Sequence, residues 1–184
     1  MDSTKTKPGF EQMVARQKID VFDIHTERHV LLNGERFDFT VIHVPHFVVV
    51  IPRVGHSRFL LIRQYRPSWR RLAVEFPAGG AEGFVEPPED TARRELVEET
   101  GYWPTTLTHI CSFQHSARSN QVCHGFLADG LEERGTNMDP AEVGMIDEVL
   151  YLTQEEVEEA IISGEMVDVS HVAVWERLRR SGLL

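Results

Sequence analysis

The sequence predicts an α/β fold in which a mixed sheet is covered by helices. Extended segments crowd the first half of the chain, and helical segments interrupt or follow them without the strict alternation of a parallel doubly wound sheet. One continuous apolar run, HFVVVIPR, suits a strand buried on both faces. One acidic helix, PEDTARRELVEETG, sits in the middle of the order.

Taken along the chain, residues 1–16 are polar and read as a partly loose lead. HVLLNGERFDFTVIHV reads as two strands joined at Asn33-Gly34, a strong hairpin signal. The run HFVVVIPR follows, then a turn at Val54–Ser57, then the strand RFLLIRQYR. RLAVEF is short and extended, and Pro77-Ala78-Gly79-Gly80 breaks it into a loop. The acidic helix begins at Pro87-Pro88, carries Glu89 and Asp90 in its first turn, and is capped by Gly101. LTHICSF and QVCHGFLA read as strands flanking the loop QHSARSN, and EVLYL as the last strand. Thr153 and Glu156 form a capping box for a helix that Gly164 closes, and Ser170 is expected to cap a final helix, HVAVWERLRR.

A length of 184 residues suggests one domain with a small appended element. A formal net charge of −10 argues against nucleic acid as a partner, since such proteins carry a basic stripe. The one dense basic cluster, Arg63, Arg66, Arg70 and Arg71, is local enough to hold a small anion only. No apolar run reaches the roughly 20 residues that span a bilayer, so no membrane partner is expected. The polar N-terminus lacks a signal core, and Cys111 and Cys123 match neither a zinc nor a redox spacing. Two reduced thiols in apolar surroundings fit a cytoplasmic protein.

The chemistry lies in the acidic helix. At about 100° per residue, Glu99 falls roughly 40° to one side of Glu95 and Glu98 roughly 60° to the other. Three carboxylates therefore share one arc. Like charges so close repel, and a cleft would push one of them towards protonation unless a cation intervenes. A hard divalent ion with oxygen ligands removes the conflict, and Mg²⁺ suits carboxylates plus substrate phosphates.

The fixed positions around that helix carry a resemblance. Gly80, five residues, Glu86, seven residues, then Arg94-Glu95-Leu96-Val97-Glu98-Glu99-Thr100-Gly101-Tyr102 resembles the Nudix box at all seven of its fixed residues. Chance agreement at one position is on the order of 10⁻⁸ or rarer. The resemblance implies an α/β/α sandwich with a mixed sheet and an N-terminal strand element. It implies metal binding by Glu95, Glu98 and Glu99, with Mg²⁺ or Mn²⁺ as the ion. Arg94 would orient a box glutamate, Glu86 would support the loop, and Gly80 would let that loop approach closely.

Further stretches, HVLLNGERFDF and IRQYRPSWRRLAVEFPAGG, resemble the ADP-ribose and nucleoside-diphosphate-sugar pyrophosphatases over roughly residues 20–170. That implies Mg²⁺-dependent hydrolysis of a nucleoside diphosphate sugar to a nucleoside monophosphate and a sugar phosphate. The alternatives are another nucleotide, such as a dinucleoside or coenzyme pyrophosphate, and a ligand-binding regulator that keeps the fold without turnover. By the same resemblance the Ala78 carbonyl completes the metal site, Arg66 reaches phosphate, Glu75 contacts substrate or the neighbouring loop, and Phe39 stacks on a base from a partner subunit. Residues 1–45 would form a dimerisation element and 46–184 the catalytic domain, in a homodimer. In the loop after the box, the related enzymes carry a proline and a catalytic glutamate. Here Ser116 and Gln121 stand in their places, and Arg118 is free to hold phosphate or a sugar hydroxyl. A neutral amide is no general base. A box glutamate, His115, Glu142, Asp147 and Glu148 remain the alternatives for that role.

Overall fold

A computed structural model describes residues 7–114, 116–135 and 144–184. His115 and Glu142 lie outside the described residues. The chain divides into two compact units, residues 1–45 with 114–121, and residues 46–113 with 122–184.

The first unit is a three-stranded antiparallel sheet in the order β1-β2-β3, with β1 Gly9–Ile19, β2 Phe22–Val30 and β3 Arg36–His43. The expected hairpin is present. Gly34 takes φ 84°, and the Asn33 side chain accepts from the Glu35 N–H at 3.0 Å. The polar lead is not loose from Gly9 onward, because it pairs with β2 from Gly9↔Val30 to Ile19↔Phe22. The segment 116–121 is stitched to β3. The Ile42 N–H donates to the Arg118 carbonyl at 2.8 Å, and the Asn120 N–H to the Ile42 carbonyl at 3.1 Å. Among the described residues of this unit, only Val44 is buried.

The second unit is a mixed sheet built of β4 Phe47–Val54, β5 Arg58–Arg66, β6 Arg71–Glu75, β7 Ala78–Gly80, β8 Tyr102–Phe113, β9 Cys123–Glu133 and β10 Ile146–Thr153, ordered β10-β5-β4-β9-β8 with β6 added on β5 and β7 on β4. Its central strand β4 runs parallel to β9 and antiparallel to β5. The expected loop at Pro77–Gly80 contains a short strand, β7 Ala78–Gly80, because Val49 and Val48 of β4 offer it partners.

Alternation along β4 builds the layers, since successive side chains of a strand point to opposite faces. Val49 and Ile51 enter a core with Phe76, Val157, Val174, Trp175 and Leu178. Val48 and Val50 enter a second core with Ala92, Leu96 and Phe126. Helices α2, Gln154–Ser163, and α3, Val169–Arg179, therefore cover one face, and α1, Pro88–Thr100, covers the other. This is the α/β/α sandwich. The Thr153 capping box forms, and Gly164 closes α2 in the left-handed conformation. Ser170 does not cap α3; Asp168 does, accepting from the Ser170 N–H at 2.7 Å. The Asp168 carboxylate, two residues upstream, reaches the orphan N–H of Ser170, and Ser170 lies inside the helix. Cys111 and Cys123 are free and buried in the core, and burial pushes the Cys123 thiol up to about 12. No helix among the described residues is long and apolar enough to cross a membrane.

Candidate active site

Helix α1 starts on Pro87 without a side-chain cap. Pro88 needs no helical donor, and Glu89 and Asp90 complement the positive helix end. Gly101 ends the helix at φ 78°, its N–H bonded to the Val97 carbonyl at 2.8 Å. The helix packs Ala92 and Leu96 on the sheet, and this turns Glu95 and Glu99 inward as well. Both are almost fully buried, at 5% and 3% exposure. Apolar packing thus fixes the direction of carboxylates that an exposed helix face would leave mobile.

Arg94 gathers the acids. Its Nη1 donates to Glu95 Oε1 at 2.8 Å and to Glu98 Oε2 at 2.9 Å. Its Nε donates to Glu86 Oε1 at 3.1 Å, and its Nη2 to the Gly80 carbonyl at 2.8 Å. One guanidinium thereby ties the loop before the helix to two helix carboxylates. Burial alone would lower the Arg94 pKa, but the bonds and charges of Glu86, Glu95 and Glu98 outweigh it and raise it. Burial would raise Glu86; the Arg94 bond and the Glu82 N–H, at 2.7 Å, hold it below the ordinary range instead. Glu99 Oε2 accepts the Ala78 N–H at 2.9 Å, so β7 and the helix acids are one assembly.

The close approach of the loop belongs to Gly79 and not to Gly80. A Cβ on Gly79 would stand 2.1 Å from the Glu95 carboxyl carbon, whereas a Cβ on Gly80 would meet nothing within 4 Å. The Gly79-Gly80 doublet is the sequence signal for this residue. Which of the two matters depends on a contact with Glu95, far along the chain.

Arg66 grips Glu75 through two nitrogens, Nε lying 2.9 Å from Oε1. Glu75 is 1% exposed and also lies 3.7 Å from His171 Nε2. The bond to Glu75 raises the Arg66 pKa. Glu75 is therefore the anchor of that arginine. Of the acids further along the chain, Glu148 pairs with Arg63 Nε at 2.9 Å, and Asp147 is exposed at a β10 bulge.

Phe39 and Arg118 both belong to the first unit, and the guanidinium carbon lies 4.5 Å from the Phe39 ring centre. Gln121 has a definite task there. Its Nε2 donates to the Pro45 carbonyl at 2.9 Å, which a carboxylate could not do.

The box acids form a hard-oxygen donor set in which Glu86, Glu95 and Glu98 share a single guanidinium. With Glu99 beside them, these carboxylates make an oxygen-rich donor set of the kind a hard divalent cation takes.

Comparison with known proteins agrees with this geometry. The NUDIX domain matches residues 43–171. The chain is 33% identical over 164 residues to an ADP-ribose pyrophosphatase of Bacillus subtilis (strain 168), covering 86% of each chain. It is 29% identical over 181 residues to a methanol dehydrogenase activator of Bacillus methanolicus, covering 95% of this chain and 94% of that one. A crystal structure of an ADP compounds hydrolase superposes with a TM-score of 0.81 at 17% identity, covering 97% of this chain and 96% of that one.

Proposed function

Because the chain belongs to the Nudix family and is a Nudix pyrophosphohydrolase, we propose that it hydrolyses nucleoside diphosphate sugars, ADP-ribose included, with Mg²⁺ as its metal. One observation carries this reading: Glu86, Glu95 and Glu98 converge on Arg94, while Glu99 binds the Ala78 N–H. The substrate class is supported by the similarity to an ADP-ribose pyrophosphatase over most of both chains.

A divalent ion at Glu95, Glu98 and Glu99 would neutralise diphosphate charge and favour ionisation of the attacking water. The protein's own part is positional. Arg94 keeps like-charged carboxylates in register at low reorganisation cost. Ala78 and Gly79 hold β7 against them. Arg66, braced by Glu75, is assigned to the phosphates, where a planar guanidinium matches two oxygens at once. Phe39, with Arg118 beside its ring, is assigned to the nucleobase and delivered to the partner subunit's site in a homodimer. Water adds to one phosphorus, the bridging P–O bond breaks, and a box glutamate accepts the water proton. The products are a nucleoside monophosphate and a sugar phosphate. Gln121 takes no part in the chemistry, because its amide is engaged by the Pro45 carbonyl.

The test is a panel of nucleoside diphosphate sugars, dinucleoside polyphosphates and coenzyme pyrophosphates, assayed with Mg²⁺ and with chelator. Phosphomonoester release that is fastest on the sugars and abolished by chelator is expected. Preference for a dinucleoside or coenzyme substrate would replace the assigned class.

A further inference from the structure

Strand β2 places Asp23, His25, Glu27 and His29 on one face of the three-stranded sheet, since alternate residues share a face. The register sets His43 of β3 opposite Asp23, on that same face. The side chains lean together. His43 Nε2 lies 3.0 Å from Glu27 Oε1, His25 Nδ1 lies 3.7 Å from the same oxygen, and His29 Nε2 lies 3.1 Å from Glu27 Oε2. The His25 and His43 rings are 4.1 Å apart at their centres. One ligand atom from each of His25, Glu27 and His43 falls within 4.8 Å of the others. None of these residues belongs to the acidic helix.

One carboxylate has three imidazoles around it, those of His25, His29 and His43. The His25 Nε2 is buried and lacks an aligned hydrogen-bond partner, although Asp23 Oδ1 stands 3.0 Å away. A carboxylate behind one ring nitrogen, with the other nitrogen turned to a shared point, is the usual setting of a metal-bound histidine.

We propose that His25 Nδ1, Glu27 Oε1 and His43 Nε2 form a three-ligand site for a transition-metal dication of the Zn²⁺ class, its remaining position open to water. Asp23 Oδ1 stands 3.0 Å from the other His25 ring nitrogen, and His29 occupies the second Glu27 oxygen. Two imidazoles and one carboxylate select such an ion over Mg²⁺, which prefers oxygen ligands. The ion joins β2 to β3 in a unit where, among the described residues, only Val44 is buried. A small sheet without a core gains most from such a staple.

The experiment uses the untagged full-length chain with excess Mg²⁺ present throughout, titrated with Zn²⁺ and followed by calorimetry. One Zn²⁺ per chain is expected in addition to Mg²⁺. The affinity should fall at least about tenfold in the His25→Asn, His43→Gln double variant. Imidazole ¹⁵N resonances of His25 and His43 in the unmodified chain should shift with Zn²⁺ and not with Mg²⁺. Equal Zn²⁺ affinity in the double variant, or unshifted His25 and His43 resonances, overturns the proposal. If the double variant does not fold, the resonances of the unmodified chain decide alone. Neither readout involves turnover, so failure here leaves the pyrophosphohydrolase reading untouched.

Discussion

Gly79 is where a single methyl group would disturb the site. Alanine there drives a Cβ to 2.1 Å from the Glu95 carboxyl, so Glu95 or β7 must move. Gly79→Ala is expected to cost about 1–3 kcal/mol in overpacking and most of the activity, while Gly80→Ala leaves both near normal. Paired denaturant titrations and initial rates check the contrast, and equal behaviour of the two variants would refute it. Gln121 gives the second prediction at this scale. Glutamate would place a carboxylate against the Pro45 carbonyl in exchange for a donated hydrogen bond. Gln121→Glu should therefore gain no activity and lose about 1–3 kcal/mol of stability. A faster Gln121→Glu enzyme would return that position to the chemistry. The box carboxylates were legible in the sequence because their spacing is itself the helix geometry. Gly79 and Gln121 were not, because their reasons lie in atoms far along the chain, the Glu95 carboxyl and the Pro45 carbonyl.

Elements differ in the same way. β4 was plain from composition, since a strand buried on both faces must be apolar throughout. β1 was hidden. Its pairing with β2 shifts register between Phe10 and Gln12 and again between Met13 and Ala15, and each irregularity breaks the period-two alternation that marks a strand. The α3 cap was misplaced by two residues because Asp168 and Ser170 are both good caps, and only backbone geometry decides between them. Helix α3 also carries a testable pH dependence. His171 is buried and its Nδ1 accepts the Phe76 N–H at 3.1 Å, which requires a neutral ring. Burial lowers its pKa, while the charges of Glu75 and Asp168 oppose that only in part. The unfolded chain then takes up the proton first. The contribution is complete above the unfolded value of about 6.5 and is lost as pH falls through the lowered folded value. Urea midpoints should drop between pH 7.5 and 5.5. His171→Asn, whose oxygen can still accept from Phe76, should show a smaller drop. An equal drop in both proteins would remove His171 as the cause.

At the scale of the whole molecule, the first unit leaves Phe10, Met13, Ile19, Val21, Phe22 and Phe37 exposed, which is a large apolar share for so small a sheet. We predict a homodimer with an isologous interface through this sheet. Light scattering at micromolar concentration should give twice the 21.1 kDa chain mass. Phe39→Ala should raise KM more than it lowers kcat. A monomeric mass for the active protein would end both the shared site and the stacking role of Phe39.

The most direct measurement of the central claim compares ADP-ribose hydrolysis by the unmodified chain with that of Glu95→Gln and Glu99→Gln at saturating Mg²⁺. A glutamine oxygen at position 99 can still accept the Ala78 N–H, so the fold should hold while the charge at the metal site is lost. Hydrolysis by the unmodified chain and a fall of at least about 100-fold in each variant, at unchanged thermal stability, are predicted. Near-normal rates in both variants would contradict the account, because the carboxylates gathered around Arg94 and Ala78 would then be scaffolding alone.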